Sequence, residues 1–179
     1  MLALSALKGS PNSSSSLNEL TWPDEKCGTY YGSGLMDGLQ FSGVDSIAHY
    51  YDKLAQDYDA AVRAWGYCLP ETVVELLFKY ADLRDLETDV TLLDLGCGNG
   101  LVGEALCKRK PFNGLVGFDI SQKSLDEAQK RGCYRRLQQA DLLKKLPLEK
   151  DSVDHLLCIG TTSYLGHFCS WHSHEHYST

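Results

Sequence analysis

Thr91–Gly103 reads Thr-Leu-Leu-Asp-Leu-Gly-Cys-Gly-Asn-Gly-Leu-Val-Gly, and few folds can accept it. An apolar run ends around an acid, Asp94. Glycines then occupy alternate positions at 96, 98 and 100, and a helix-like apolar pattern begins. That order predicts a buried strand, a tight turn and a helix, the opening unit of a nucleotide-binding α/β sheet. The surrounding chain alternates in the same way. Val90–Leu95 is predicted as a strand, Leu101–Arg109 as a helix, and Leu115–Ile120 as a second strand with Asp119 near its end. Ser124-x-x-Glu127 predicts a capping box before a short helix that stops at Gly132. Tyr134–Gln138 is a third strand with Asp141 just beyond it, and Val153–Ile159 is a fourth. Nearly continuous apolar strands separated by helices imply a parallel sheet.

Upstream, Ile47, Tyr50, Tyr51, Leu54, Tyr58, Val62 and Trp65 recur at helical steps, which predicts one amphipathic helix ended by Gly66. Pro70 opens a second helix, with Val73, Val74 and Leu77 on its inner face. Residues 1–46 are rich in Ser and Gly and show no sustained period, so an irregular leader is expected there. After Gly160 the alternation stops. The stretch 166–179 carries His167, Cys169, His172, His174 and His176, but that spacing matches no common closed zinc site, and no metal is expected.

A chain of 179 residues can bury the core of one domain. Its net charge of −7 argues against a general nucleic-acid binder. The basic clusters Lys108–Lys110 and Lys130–Arg136 fall beside predicted helix ends, where solvated cations complement the dipole. The seven cysteines are scattered, never in a Cys-x-x-Cys spacing, and are expected as reduced thiols. No apolar run approaches the roughly 20 residues that span a bilayer, and the start lacks a signal-peptide pattern. A cytoplasmic protein without a membrane partner is the expectation.

Two ligand classes use a strand–glycine turn–helix unit. A pyrophosphate site wants its third glycine one residue further on, at position 101, which is Leu, and Asp94 would be a poor neighbour for phosphate. S-adenosylmethionine has no phosphate and carries a sulfonium and an ammonium, which suit an acid there. Asp119 follows the glycines by about 20 residues, the usual distance for an acid that receives ribose hydroxyls. Asp141 is placed to accept an adenine amino group. Each acid also has a plain structural alternative, because Asp at a strand end often caps a turn or helix.

Asp94-Leu-Gly-Cys-Gly-Asn-Gly100, Gly117-Phe-Asp-Ile-Ser121 and Gln139-Ala-Asp-Leu142 resemble motif I, the acidic post-I loop and motif II of class I S-adenosylmethionine-dependent methyltransferases. Asp151-Ser-Val-Asp-His-Leu-Leu-Cys158 is similar to the fourth-strand motif of that family. Tyr51-Asp-x-x-Ala-x-x-Tyr-Asp59 is similar to the N-terminal helix that closes over the cofactor in many small-molecule members. The resemblance covers 47–165 and implies a Rossmann-like three-layer α/β domain with parallel strands in the order 3-2-1-4, counted from the strand at Thr91. It implies S-adenosyl-L-methionine as cofactor and a small-molecule acceptor. Gly96, Cys97, Gly98 and Gly100 would line the methionine and ribose, and Asp94 would steer the amino end. Asp119 and Ile120 would hold ribose and adenine, Asp141 and Leu142 the adenine edge, and Cys158 and Ile159 the floor near the sulfonium. Tyr51 and Tyr58 would face the cationic sulfur; as an apolar helix stripe they would serve packing instead. No catalytic residue is assigned.

Family members continue beyond the fourth strand with a helix and three more strands, and nothing after Leu165 matches that continuation. The expectation is therefore a domain truncated after its fourth strand. Val153–Ile159 would then be an unpaired apolar edge open to self-association. A non-catalytic cofactor-binding fragment is the alternative to an active methyltransferase.

Overall fold

The computed structural model describes residues 2–6 (backbone only), 43–80 and 90–161. In chain order the elements are β1 (Leu2–Ala6), α1 (Val44–Leu54), α2 (Tyr58–Ala64), α3 (Leu69–Tyr80), β2 (Leu92–Leu95), α4 (Leu101–Arg109), β3 (Leu115–Asp119), α5 (Gln122–Lys130), β4 (Arg136–Gln139) and β5 (His155–Ile159). They form a five-stranded sheet in the order β1-β5-β2-β3-β4. The four strands β4-β3-β2-β5 are mutually parallel and reproduce the expected order 3-2-1-4.

Side-chain alternation divides the core between the two sheet faces. Leu92, Leu115, Leu157 and Ile159 join a cluster with Val73 and Leu77 of α3 and Leu106 of α4. Leu93, Leu95, Val116, Phe118 and Cys158 form the other cluster, closed by Leu142 and Leu146. The sheet is therefore buried on both faces over β2 and β3, as near-continuous apolar strands require.

Four departures from expectation have local physical causes. The first helix is broken into α1 and α2 at Ala55–Asp57. At the break, Ala55 is only 2% exposed, and its carbonyl accepts the Asn99 side-chain amide at 2.6 Å instead of simply continuing a helix. The cap of α5 lies one turn earlier than the sequence suggests. Ser121 is the N-cap and accepts from the Ser124 N–H at 3.1 Å, so Ser124 is a buried residue inside the helix. Third, Cys68 is disulfide-bonded, against the expectation of uniformly reduced thiols; Cys97, Cys107, Cys133 and Cys158 are free.

The fourth departure concerns the sheet edge. β5 is not left unpaired: Leu2–Ala6 runs antiparallel along it, from Leu2 opposite Ile159 to Ala6 opposite His155. A stretch read as irregular leader thus supplies an edge strand. Residues 7–42 and the His-rich 166–179 stretch lie outside the described residues. Among the described helices none is long and apolar enough to cross a membrane.

Deleting residues 1–6 would leave the N–H and C=O groups along the outer edge of β5 without strand partners. That variant is expected to associate more strongly with rising concentration than the full chain in sedimentation velocity. Identical sedimentation would count against β1 as the edge cover.

Candidate functional site

The glycine turn lies where the carboxyl ends of β2 and β3 meet the start of α4. Gly96, Gly98 and Gly100 have φ of +71°, +50° and +83°, a region that L side chains rarely adopt. At Gly98 the conformation alone demands glycine, because a Cβ there would meet nothing within 4 Å. The space beside it is open to a ligand that approaches the backbone.

The backbone donors of this turn are mostly engaged. The Gly96 and Cys97 N–H groups donate to the Phe118 carbonyl at 2.7 and 3.1 Å. Gly98 N–H donates to Asp119 Oδ2 at 2.8 Å, and Gly100 N–H to the Cys97 carbonyl at 2.8 Å. Asp119 Oδ1 accepts the Ser121 N–H at 2.9 Å. Both carboxylate oxygens are thereby oriented, each with further acceptor capacity. Burial is the main influence on this acid and pushes it above its ordinary value, opposed by the hydrogen bonds from Ser121 and Gly98.

Beneath the turn, Asp94 is 1% exposed and accepts the Tyr134 hydroxyl at 2.7 Å. The same phenol oxygen accepts the Gly103 N–H of α4 at 3.2 Å. Burial pushes the Asp94 carboxyl from 3.8 up to about 7; the Tyr134 hydrogen bond opposes this and the nearby Asp119 reinforces it. Tyr134 itself is pushed well above its ordinary value, first by burial, and so stays a donor. Its ring is packed so closely that a Cβ on Gly103 would lie 2.4 Å from it. Asp94 is thus held on the core side of the turn.

The helix pair α1–α2 is tied to this site by polar contacts. Asn99, 4% exposed, donates its side-chain amide to the Ala55 carbonyl and to Asp59 Oδ1, the latter at 3.1 Å. Arg131 donates through Nε to the Asn99 carbonyl at 2.5 Å and forms ion pairs with Asp59 and Glu104. Asp52 Oδ1 accepts the Ser121 hydroxyl at 2.6 Å and the Lys123 N–H at 3.1 Å. The Arg131 side chain is 15% exposed, which corrects the reading of its cluster as wholly solvated. Lys130, at 66%, fits that reading. Asn99 Oδ1 is buried without a hydrogen-bond partner among the described residues, a burden of about 1–3 kcal/mol on this arrangement.

The other predicted residues are distributed around this centre. Tyr51 and Tyr58 face each other across the α1–α2 break with ring centroids 6.3 Å apart, edge to face. The Ile120 carbonyl accepts Gln139 Nε2 at 2.8 Å, tying the end of β3 to β4. Asp141 Oδ1 accepts the Leu143 N–H at 2.9 Å, and its other oxygen lies 3.3 Å from Lys144 Nζ. Leu142 is buried in the second core cluster together with Cys158, whereas Ile159 belongs to the first. Cys158 and Ile159 therefore project from opposite faces of β5. Cys97 is buried against Gly117, where a Cβ would come 2.8 Å from its sulfur. Sequence reasoning missed Tyr134, Asn99, Ser121 and Arg131. Asn99 and Ser121 had local signals, the first as the polar residue enclosed by two of the glycines and the second as a serine placed to cap α5.

Residues 92–172 match a family described as a methyltransferase domain. The chain is 36% identical over 126 residues to human methyltransferase-like protein 27, across 68% of this chain and 50% of that protein. It is 34% identical over 70 residues to a release factor glutamine methyltransferase of Streptococcus pneumoniae, across 39% of this chain and 25% of that protein. Among solved structures, a SAM-dependent methyltransferase from Anabaena variabilis superposes with a TM-score of 0.42 at 24% identity, over 59% of this chain and 42% of that one. The chain spans half or less of the length of these curated relatives.

Asp94 makes stability depend on pH with a definite sign. Its folded-state value lies above the unfolded one, so its stabilisation is fully present below about 4 and is lost as pH rises through about 7. Urea unfolding at pH 5 and pH 8 is expected to show a smaller difference for Asp94→Asn than for the wild type. Tyr134→Phe removes the donor to Asp94 and the acceptor for Gly103, and is expected to lose about 1–3 kcal/mol in the same measurement at pH 8.

Proposed function

We propose that the chain is a class I S-adenosylmethionine-dependent methyltransferase, as its methyltransferase-domain match and its similarity to methyltransferase-like protein 27 support, and that its glycine turn binds S-adenosyl-L-methionine for methyl transfer to a small-molecule acceptor. The observation that carries the reading is the engagement of the turn's donors. Gly96, Cys97, Gly98 and Gly100 already donate to the Phe118 carbonyl, the Asp119 carboxylate and the Cys97 carbonyl. A pyrophosphate would seek those same N–H groups. It would also meet two acids, Asp94 and Asp119, whose mutual repulsion adds to the rise of Asp94. A ligand with hydroxyl donors and positive charge is the chemical complement of this surface.

In this reading Asp119 receives the ribose hydroxyls through the acceptor capacity that Gly98 and Ser121 leave open. Gly98 admits the ligand against the backbone, Gly96 and Gly100 give the turn its positive φ while packing against Thr161 and Tyr134, and Cys97 packs the turn onto Gly117. Ile120, Asp141 and Leu142 bound the adenine side at the ends of β3 and β4. Tyr51 and Tyr58 present aromatic faces and edges to the sulfonium end, with Ile159 beneath it. Asp94 acts at the amino end through the turn. S-adenosylmethionine, when bound, supplies an electrophilic methyl group.

The protein's part is alignment rather than covalent chemistry. Burial is the main cause that raises the Cys97 thiol well above its ordinary value and pushes Cys158 up to about 12. Neither is a thiolate near neutral pH, so neither suits a methylated enzyme intermediate. The small-molecule class of the acceptor rests on the Tyr51–Asp59 motif, and the net charge of −7 disfavours nucleic acid.

Isothermal calorimetry with S-adenosylhomocysteine and with NAD discriminates the ligand classes. Binding of S-adenosylhomocysteine alone is expected. Asp119→Asn is expected to weaken it by about 1–3 kcal/mol through loss of charged hydrogen bonds. Preference of the folded wild type for NAD would overturn the assignment.

A further inference from the structure

The α1–α2 pair is attached to the site in an unusual manner for helices beside a sheet. α1 has no buried residue, and α2 buries only Val62. What fixes the pair is polar. At one end Asp52 grips the first turn of α5 through the Ser121 hydroxyl and the Lys123 N–H. At the other, Asn99 reaches out of the glycine turn to the Ala55 carbonyl and Asp59. Arg131 then joins four segments with one guanidinium: Asp59 of α2, the Asn99 carbonyl, Glu104 of α4 and its own position at the exit of α5. An element held by hydrogen bonds and ion pairs, with little apolar burial, belongs to the low-stability end of a fold and can open locally. Asn99 Oδ1, buried without a hydrogen-bond partner among the described residues, weakens the closed state further. Any such opening moves Tyr51 and Tyr58, which flank the break.

We propose that Arg131 and Asn99 form a latch on which the α1–α2 pair closes over the glycine turn, with Asp52 and Asp59 as its two catches. These four are positioning residues: the latch sets how long a ligand stays, and Asp119 and the glycines set how it is recognised. The inference rests on the cofactor site proposed above. It goes beyond that site in assigning to the two acids of Tyr51-Asp-x-x-Ala-x-x-Tyr-Asp59 a common task. Both face structures on the sheet side, seven residues apart on either side of Ala55.

The test compares the wild type with Arg131→Met, Asp59→Asn and Asp52→Asn in the full chain. Two readouts are used, amide hydrogen exchange in the free protein and the rate of S-adenosylhomocysteine dissociation by stopped flow. Each variant is expected to exchange faster over 44–64 while β2 and β3 keep wild-type protection. Dissociation is expected to accelerate roughly tenfold for Arg131→Met, with association little changed, since interface losses appear mainly in the off-rate. The double variant Asp59→Asn/Arg131→Met should accelerate by less than the product of the two single effects, because the two residues share one ion pair. A merely structural role would instead loosen the sheet together with the helices. Unchanged exchange over 44–64 in all three variants, or faster exchange there with an unchanged off-rate, overturns the latch. If the wild type binds no S-adenosylhomocysteine, the cofactor reading falls on its own, and exchange over 44–64 decides whether these contacts hold the helices. Should Arg131→Met fail to fold, Asp52→Asn tests the opposite catch by the same measurements.

Discussion

A carboxyl group placed under a sheet needs a donor, and Asp94 obtains one from Tyr134. The position of that phenol governs much of the site. Its oxygen also receives Gly103 N–H, so the first turn of α4 is referenced to the end of β2 through a single atom. Its ring fills the room that Gly100, Gly103 and Gly117 leave by having no side chain. These glycines therefore serve two purposes at once, allowing the chain to turn and allowing an aromatic pillar to stand behind the turn. A larger residue at Gly103 or Gly117 would displace the pillar before it touched any ligand.

The three acids at the strand ends divide by what surrounds them. Asp94 faces inward and is raised to about 7 chiefly by burial. Asp119 stands at the rim, oriented by two backbone donors that compensate part of its desolvation. Asp141 is committed locally to Leu143 and Lys144. Only the middle one combines fixed geometry with acceptor capacity toward the turn. The same residue type at equivalent points of successive strands thus yields three distinct electrostatic environments.

How much of this could be read from the chain follows from the range of each interaction. β2, α4, β3 and β5 were legible because continuous apolar runs and helical steps are local patterns, and α4 matches its expected span of Leu101–Arg109. The glycine turn and Asp119 were legible from spacing. The α1–α2 break was not, since it depends on Asn99 reaching Ala55 across the fold. The Ser121 cap escaped for a smaller reason: Ser121-x-x-Ser124 precedes Ser124-x-x-Glu127 by one turn, and both resemble caps. Arg131 looked like one more cation at a helix end until Asp59 and Glu104 were brought to it. Leu2–Ala6 lacks β-branched residues and becomes a strand only because β5 presents an edge.

That last pairing has a consequence for how the molecule comes to exist. Leu2 lies opposite Ile159, so the earliest described strand to be synthesised finds its neighbour in the latest. The parallel strands between them can assemble as α/β units from nearer partners, but this outer ladder has the longest sequence separation in the sheet. Contacts of that range require the loop-closure entropy to be met before any stabilisation is gained, and they form late. On the ribosome, β1 must therefore wait, solvated and available to other chains, until β5 emerges. The sheet is completed only when nearly all of the described chain has been made, which makes translation beyond residue 159 a condition for closing its edge.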